Sequence, residues 1–218
     1  MVRIFILSLI LCLTQSFVHG QDAFFKREDR NFYGGFTIGA NFCEVIGDAY
    51  HGYHKVGLNA GALVVGRISE EFGASLELLY SQKGSRGVRE INSNYSGAMF
   101  EKYYLDLNYV EVPFQLHFFS GRRTIVGTGI SYSRLLKSSE SLSTDQPVYL
   151  NPKEHEFNKD DIAVVFSGGL GFFDHWMISL RYQYSLKPVR EWDKVPVKLG
   201  SGNQTNTYFT VRLIYFIP

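Results

Sequence analysis

Seven charged or titratable side chains lie in segments that are otherwise rich in apolar residues, glycine and serine: Glu77, Glu111, Arg181, Arg212, Arg67, Lys83 and His117. Glu111 and His117 are residue types that can exchange protons as a general acid/base pair. Carboxylates beside guanidinium groups have a second use, because buried opposite charges neutralise each other. Since both signs are present, we favour a structural ion-pair network over acid/base chemistry.

The direction in which these side chains point is clearest from the residue pattern of the stretch 161–187. Large apolar residues occupy its even positions from Ile162 to Leu186, apart from Gly168 and the turn residue Asp174. The odd positions of the two strands carry mostly Ala, Ser and Gly, together with Val165, Met177, Arg181 and Gln183. Side chains of a strand point alternately to opposite faces, so this period of two predicts two strands. The residues 173–175 leave room only for a tight hairpin between them.

The polar face of these strands identifies the fold class. It is built mostly from Gly and Ser, whereas a solvated face usually carries many Lys, Glu, Asp and Thr. Small residues suit the cramped interior of a closed sheet, and large apolar residues pointing outward suit lipid. An arginine on the lipid face costs about 2–4 kcal/mol, so the charged residues must point inside. A soluble calyx for a hydrophobic ligand would need the opposite arrangement.

Similar alternation recurs along the chain. We predict strands at 32–43, 55–68, 73–83, 102–119, 123–136, two within 161–187, and 207–217. Short turns follow the second, fourth and sixth strands, and long loops at 84–101, 137–160 and 188–206 follow the third, fifth and seventh. In the fourth strand the apolar face changes phase, which predicts a bulge near Tyr109. An even strand number with alternating short and long connections predicts an eight-stranded antiparallel up-and-down transmembrane β-barrel.

The amino terminus has the features of a secretory signal peptide at 1–20, with Arg3 before an apolar run. Residues 21–31 would form a periplasmic lead, and 32–218 a single barrel domain. The chain has 22 Lys and Arg and 21 Asp and Glu, and removal of the signal peptide would take away Arg3. The remaining charges balance, so the net charge gives no reason to expect binding to nucleic acid. Cys43 is the one cysteine left and is expected to be a buried thiol.

Four motifs resemble the PorT-like family of outer-membrane β-barrels from Bacteroidetes. The resemblance rests on the stretch 77–84, ELLYSQKG, followed by 109–113, YVEVP, with GTGISY at 127–132 and RYQY at 181–184. It covers about 32–217 and implies an eight-stranded barrel in the bacterial outer membrane, with a link to protein secretion. Two departures are His117, where the family often has Lys, and the ending at Ile217-Pro218 rather than on an aromatic residue.

We therefore predict a non-enzymatic protein without cofactor, metal or catalytic site, whose interior charge network is formed by Glu77, Glu111, His117, Arg181 and Arg212. Arg134 is expected near the outer rim, where it could contact a lipid headgroup. The expected partners are membrane lipid and lipopolysaccharide, with envelope or secretion-system proteins, and no nucleic acid. Two alternatives stay open: an outer-membrane enzyme acting on lipid or lipopolysaccharide, and the soluble calyx.

Overall fold

The computed structural model describes residues 31–93, 97–120, 123–143, 155–196, 199–200 and 202–218. The predicted signal peptide at 1–20 lies outside these ranges, as does nearly all of the predicted lead at 21–31. The division between signal, lead and barrel therefore stays a prediction.

Eight antiparallel strands close into one barrel in sequence order, and β1 pairs with β8 to complete it. The strands are β1 (Phe32–Ile46), β2 (Lys55–Arg67), β3 (Phe72–Ser93), β4 (Gly97–Ser120), β5 (Thr124–Ser143), β6 (Asp160–Phe172), β7 (Trp176–Ser185) and β8 (Thr205–Phe216). A short 3-10 helix at Trp192–Lys194 lies between β7 and β8. Among the described residues no helix has the length and apolarity to cross a bilayer. The predicted fold class is confirmed.

The two ends of the barrel differ in their connections. At the end that we call the turn end, 68–71, 121–123 and 173–175 join consecutive strands, and Phe173 takes a positive φ of 51° in the last of these turns. At the opposite end, the loop end, the connections are 47–54, 94–96, 144–159 and 186–204. The hairpin predicted at 173–175 is confirmed.

Apolar side chains cover the outside of the barrel and small or polar ones line the inside. The exposed apolar band includes Phe36, Ile38, Leu76, Leu78, Phe114, Leu116, Ile130, Phe166, Leu180 and Val211. Exposed aromatic residues border it, with Phe72, Phe118 and Trp176 towards the turn end and Tyr80 and Tyr132 towards the loop end. From Phe72 to Tyr80 the tilted strand rises roughly 20 Å, close to the height of a lipid-facing band. This is the reverse of what a soluble calyx requires.

Three strands are much longer than the alternation predicted. β3, β4 and β5 have 22, 24 and 20 residues, whereas the others have 10 to 15. The loops predicted at 84–101 and 137–160 are wrong in part, since 84–93, 97–101 and 137–143 are strand. We call the portion of these three strands beyond the band the β3–β5 extension, residues 83–93, 97–109 and 135–143.

The predicted bulge near Tyr109 lies on the neighbouring strand. Asn108 pairs with Lys137 and Tyr109 with Leu135, so Leu136 of β5 is the extra residue. Odd-numbered residues of β4 point inward both before and after this point, from Tyr103 to His117. The phase change in the sequence therefore has another cause: the interior is apolar beside the extension and polar beside the band.

Candidate functional site: the charged interior and its apolar closures

The first interior cluster is built around Glu77 of β3. Arg181 of β7 donates to Glu77 Oε1 at 2.6 Å, and Arg212 of β8 donates to both carboxylate oxygens at 2.6 and 3.1 Å. Gln115 of β4 adds a hydrogen bond at 3.2 Å. All four side chains are buried. One carboxylate thus holds together four of the eight strands.

The second cluster, nearer the loop end, surrounds Glu111 of β4. Its carboxylate accepts hydrogen bonds from Ser131 at 2.8 Å, Gln183 at 2.6 Å and the Tyr208 hydroxyl at 3.2 and 3.3 Å. Lys83 Nζ lies 3.6 Å from Glu111 Oε2. The carboxylate is therefore both neutralised and hydrogen-bonded, as a buried charge requires.

Lys83 connects this cluster to the rim of the band. Its Nζ lies 3.4 Å from Asp161 Oδ2 and donates to Ser133 Oγ at 3.1 Å. The same ammonium sits between the rings of Tyr109 and Tyr208, at 4.8 and 4.7 Å from their centroids. Cation–π contacts of this kind favour a desolvated cation.

The two clusters balance in charge. Arg181, Arg212 and Lys83 are the cations, and the anions are Glu77, Glu111 and Asp161. Removing one partner of such a buried set leaves an uncompensated charge, which costs about 3–5 kcal/mol. The arrangement thus suits a structural filling of the barrel.

His117 belongs to neither cluster and is not brought to Glu111. Its Nε2 lies 2.7 Å from Ser75 Oγ, and its Nδ1 has no hydrogen-bond partner among the described residues. A serine beside a histidine is a nucleophile–base pair only when a third group orients the base. The adjoining interior cavity measures about 20 Å³, room for about one water molecule. The pair has no space for a lipid substrate.

Apolar residues close the interior at the turn end. The cluster consists of Leu63, Val65, Ile125, Met177, Ile214 and Phe216, with Tyr33 and Phe119 packed against it. It lies between the Glu77 cluster and the turns, so the charges are shielded from solvent on this side.

A second apolar cluster closes the loop end inside the β3–β5 extension. It contains Val45, Tyr50, Tyr103, Leu105, Leu107, Tyr109, Leu142, Val195 and Leu199. The loops after β1 and β7 meet here, where Ala49 N donates to the Leu199 carbonyl at 2.9 Å. Tyr50 stacks on Tyr103 at 4.8 Å. Burial and the nearby Glu101 raise the pKa of Tyr50, so its hydroxyl stays protonated and donates to Glu101.

A buried ion pair fastens the loop after β7 over this cluster. Arg190 donates to the two oxygens of Glu140 at 3.0 and 2.7 Å, and the Tyr103 hydroxyl donates to the same carboxylate at 2.6 Å. The guanidinium lies 3.6 Å from the centre of the Phe157 ring. This two-point pairing is the strongest geometry available to arginine. Over the described residues, the barrel is therefore filled and capped rather than open.

Arg134 lies at the outer rim, as its sequence position suggested, but its guanidinium is engaged. It donates to Asp160 Oδ1 at 2.6 Å, and the Tyr132 hydroxyl donates to the same oxygen at 2.6 Å. All three side chains are on the outside, immediately beyond the band. Arginine has five N–H donors, so this pairing leaves capacity for a further acceptor.

Sequence reasoning missed several members of the interior set. Gln115, Gln183, Asp161 and Tyr208 all contact the predicted charges. Each lies in the inward phase of its strand, which was the signal available. The Arg190–Glu140 pair had no such signal, because both residues fell in segments predicted as loops.

The sequence profile of the outer membrane protein beta-barrel domain family matches residues 23–191. None of the curated protein sequences matches this chain. Solved structures that superpose on it include Ail, the attachment invasion locus protein of Yersinia pestis, at 13% identity and a TM-score of 0.44, over 86% of this chain and 100% of that one. Neisserial surface protein A does so at 10% identity and 0.43, over 85% and 97%. OprG from Pseudomonas aeruginosa gives 12% and 0.38, over 85% and 94%.

Proposed function

The chain belongs to the outer membrane protein beta-barrel domain family of the bacterial outer membrane, and from this premise we propose that it is a non-enzymatic barrel acting through its extracellular end. The proposed task is to support protein secretion or envelope assembly, as the resemblance to the PorT-like family implies. The turn end is then periplasmic and the loop end extracellular.

The single observation that carries this proposal is the closure of the barrel at both ends. Apolar clusters lie above and below a balanced set of buried charges. A pore would need a continuous polar path, and an eight-stranded barrel is already just wide enough for its side chains. The surface beyond the membrane is what remains for contact with other molecules.

The extracellular end offers residue types that favour protein contacts. Trp192 on the loop after β7 is 69% exposed. Arg86 stacks over Tyr104 at 5.1 Å on the outward face of the β3–β5 extension. Trp, Tyr and Arg are the residues that most often dominate binding energy at protein interfaces. We expect an envelope protein to bind this face and the adjoining loop.

The test is in-situ cross-linking in the intact envelope followed by tagged recovery. The wild-type protein is expected to retain a defined envelope or secretion-system component, and the double variant Trp192→Ala/Arg86→Ala to recover it at least about tenfold less. A Trp176→Ala variant at the periplasmic edge serves as control and should retain the partner.

A deletion strain provides the second arm. Loss of the protein should impair export of secreted proteins or assembly of an envelope component, and the wild-type gene should restore it. Normal export and assembly in the deletion strain, with no cross-linked envelope protein, would contradict the proposal.

A further inference from the structure

Beyond the band, one edge of the β3–β5 extension has no strand paired with it in the described part of the chain. β2 pairs with β3 only as far as Ser81, whereas β4 stays paired with β3 up to Ser93. The opposite edge, along β5, is flanked by the segment 155–159. From Gln82 onward, β3 therefore has a paired strand on one side only. We call residues 82–93 along this side the free β3 edge.

The outward-facing residues of β3 direct their backbone groups toward the free β3 edge. Side chains and backbone groups of a strand change direction with the same period of two. The Gln82 side chain is in the outward phase, and its carbonyl accepts a hydrogen bond from Asn41 Nδ2 of β1 at 2.9 Å, on the side away from β4. Arg86, Val88 and Glu90 continue this phase and are exposed. Among the described residues, no backbone hydrogen bond reaches these three from the side of β2.

The side chains along the free β3 edge define the residues that a neighbouring strand should carry. Arg86 and Glu90 flank Val88, which is 62% exposed. Over the ranges that the structure describes, neither charged residue forms an ion pair. Opposite charges and β-branched side chains stabilise each other when they lie directly across an antiparallel pair. The edge thus matches a strand with a basic residue opposite Glu90, a β-branched one opposite Val88 and an acidic one opposite Arg86.

Position and symmetry argue against lipid and against a second copy of the chain as the occupant. Tyr80 marks the extracellular border of the band, and Val88 lies roughly 20 Å further out at the rise of a tilted strand. The edge is therefore surrounded by water. In a second copy in the same membrane, β3 would run in the same direction. Two-fold symmetry would then place Arg86 opposite Arg86 and Glu90 opposite Glu90, which is destabilising.

We propose that the free β3 edge binds an extended segment of an envelope or secreted protein by antiparallel strand addition. From its amino to its carboxyl end, the segment carries the pattern Lys-x-Val-x-Glu or chemically similar residues. Backbone hydrogen bonds to Arg86, Val88 and Glu90 supply the affinity, and the side-chain pairs supply the specificity. The inference rests on the proposed function and specifies how the partner is bound.

The experiment measures binding of a fluorescent peptide with the core Lys-Thr-Val-Thr-Glu by fluorescence anisotropy. The full barrel is refolded in a zwitterionic detergent, and folding is checked by heat-modifiable gel mobility. Wild-type protein should bind the peptide saturably. Val88→Pro removes the N–H that faces the free edge and spares the ladder with β4, so it should weaken binding at least about tenfold. Val88→Thr keeps the N–H and the β-branched shape, and it should bind within about threefold of wild type.

A matched control modifies the peptide and leaves the protein unchanged, so it does not depend on the folding of a variant. N-methylation of the central Val of the peptide removes an N–H that faces β3 and should weaken binding at least about tenfold. N-methylation of the adjacent Thr removes an N–H that points away from β3 and should change binding less than about threefold. Equal binding of the two methylated peptides, or no binding of the unmodified one, would overturn strand addition.

Exchanging the charges tests the direction and register of the added strand. Arg86→Glu/Glu90→Arg should weaken binding of the original peptide and favour the charge-reversed core Glu-Thr-Val-Thr-Lys. Equal affinity of the double variant for both peptides would overturn the assigned pattern. In the free barrel, the Val88 amide should exchange its hydrogen at least about tenfold faster than the Gly87 amide after correction for intrinsic rates. Equal protection of the two amides would overturn the open edge.

Failure of strand addition and failure of the proposed function give different results. If the wild-type barrel cross-links an envelope protein but does not bind the peptide, strand addition is overturned and the proposed function stands. If the peptide binds with the expected methylation pattern but the deletion strain exports and assembles normally, the edge is confirmed as a strand-binding site and the cellular task is wrong.

Discussion

The membrane-spanning part of the barrel and the β3–β5 extension are built from the same continuous strands but have opposite polarity. In the band, Leu78 and Leu180 face outward and Glu77 and Arg181 face inward. In the extension, Leu105 faces inward among apolar neighbours, and the outward positions carry residues such as Lys102 and Asp106. Odd-numbered residues of β4 point inward in both regions.

The surrounding solvent, and not the barrel geometry, therefore determines which face of each strand is apolar. Lipid surrounds the band, so the hydrophobic effect gives no advantage to an apolar interior there, and the interior holds charges that pair. Water surrounds the extension, so its apolar side chains must be buried inside. Four experiments test this difference between the band and the extension.

The largest effect is expected from Glu77→Ala. The change leaves Arg181 and Arg212 buried without their carboxylate, which costs about 3–5 kcal/mol in the free energy of unfolding. Urea unfolding in detergent micelles, followed by gel mobility, measures it. Glu70→Ala, in an exposed turn, should cost less than about 0.5 kcal/mol. Similar losses for both variants would refute the central role of the Glu77 cluster.

The same leucine-to-alanine substitution should have different effects in the two regions. Leu105→Ala removes a side chain that is fully buried in the extension and should cost about 2–5 kcal/mol. Leu180, 55% exposed on the band, packs only partly against protein, so Leu180→Ala should cost about 1 kcal/mol or less. Amide hydrogen exchange distinguishes the two variants, because the exchange rate in the extension should rise only for Leu105→Ala.

A charge added to the outer face should be costly in one region and harmless in the other. Leu78→Arg places a cation on the lipid side of the band and should cost about 2–4 kcal/mol in lipid vesicles. Val88 is equally exposed but lies in the extension, so we expect Val88→Arg to change the free energy of unfolding by less than about 0.5 kcal/mol. Comparable losses at both positions would mean that the extension is also lipid-bound.

The smallest effect is a dependence of stability on pH at the loop end of the barrel. Burial raises the pKa of Asp48 to about 6, although the Tyr50 backbone N–H bonds its carboxylate. Because the folded-state pKa lies above the ordinary value of 3.8, the contribution is fully present below about pH 4. It is lost as pH rises through about 6, with a magnitude on the order of 2 kcal/mol.

Hydrogen exchange of residues 47–54 measures this dependence. Protection should fall between pH 4 and pH 7 in the wild type after correction for the intrinsic exchange rate. Asp48→Asn, which cannot titrate, should remove most of this change. An identical profile in the variant would show that another group is responsible.

The membrane-spanning band could be predicted from the sequence because lipid requires every strand to alternate apolar outward residues with small or polar inward ones. The eight strands, the short turns and the inward direction of Glu77, Glu111, Arg181 and Arg212 follow from that rule. Which side chains pair did not follow, because Glu77 meets Arg181 and Arg212 across 104 and 135 positions of sequence. Their meeting depends on closure of β1 onto β8, which no local pattern encodes.

The β3–β5 extension was not predicted, because beyond the lipid the apolar residues of the strands point inward instead of outward. Gly84-Ser85-Arg86-Gly87 carries turn formers and charge, and such composition ordinarily indicates a loop. Gly84 instead takes a φ of 133°, and an added Cβ would lie 2.0 Å from the Leu105 carbonyl oxygen. The available signal was the unbroken inward phase of Tyr103 and Leu105, interpreted as a bulge because apolar residues were expected outside.

The apolar clusters that fill the turn end and the loop end matter for the cell that makes this protein. In the part of the chain that the structure describes, each copy replaces a disc of bilayer with a cylinder whose two ends are filled by packed apolar side chains. A bacterium could therefore carry this protein at high abundance without lowering the resistance of its outer envelope to detergents, bile acids or antibiotics.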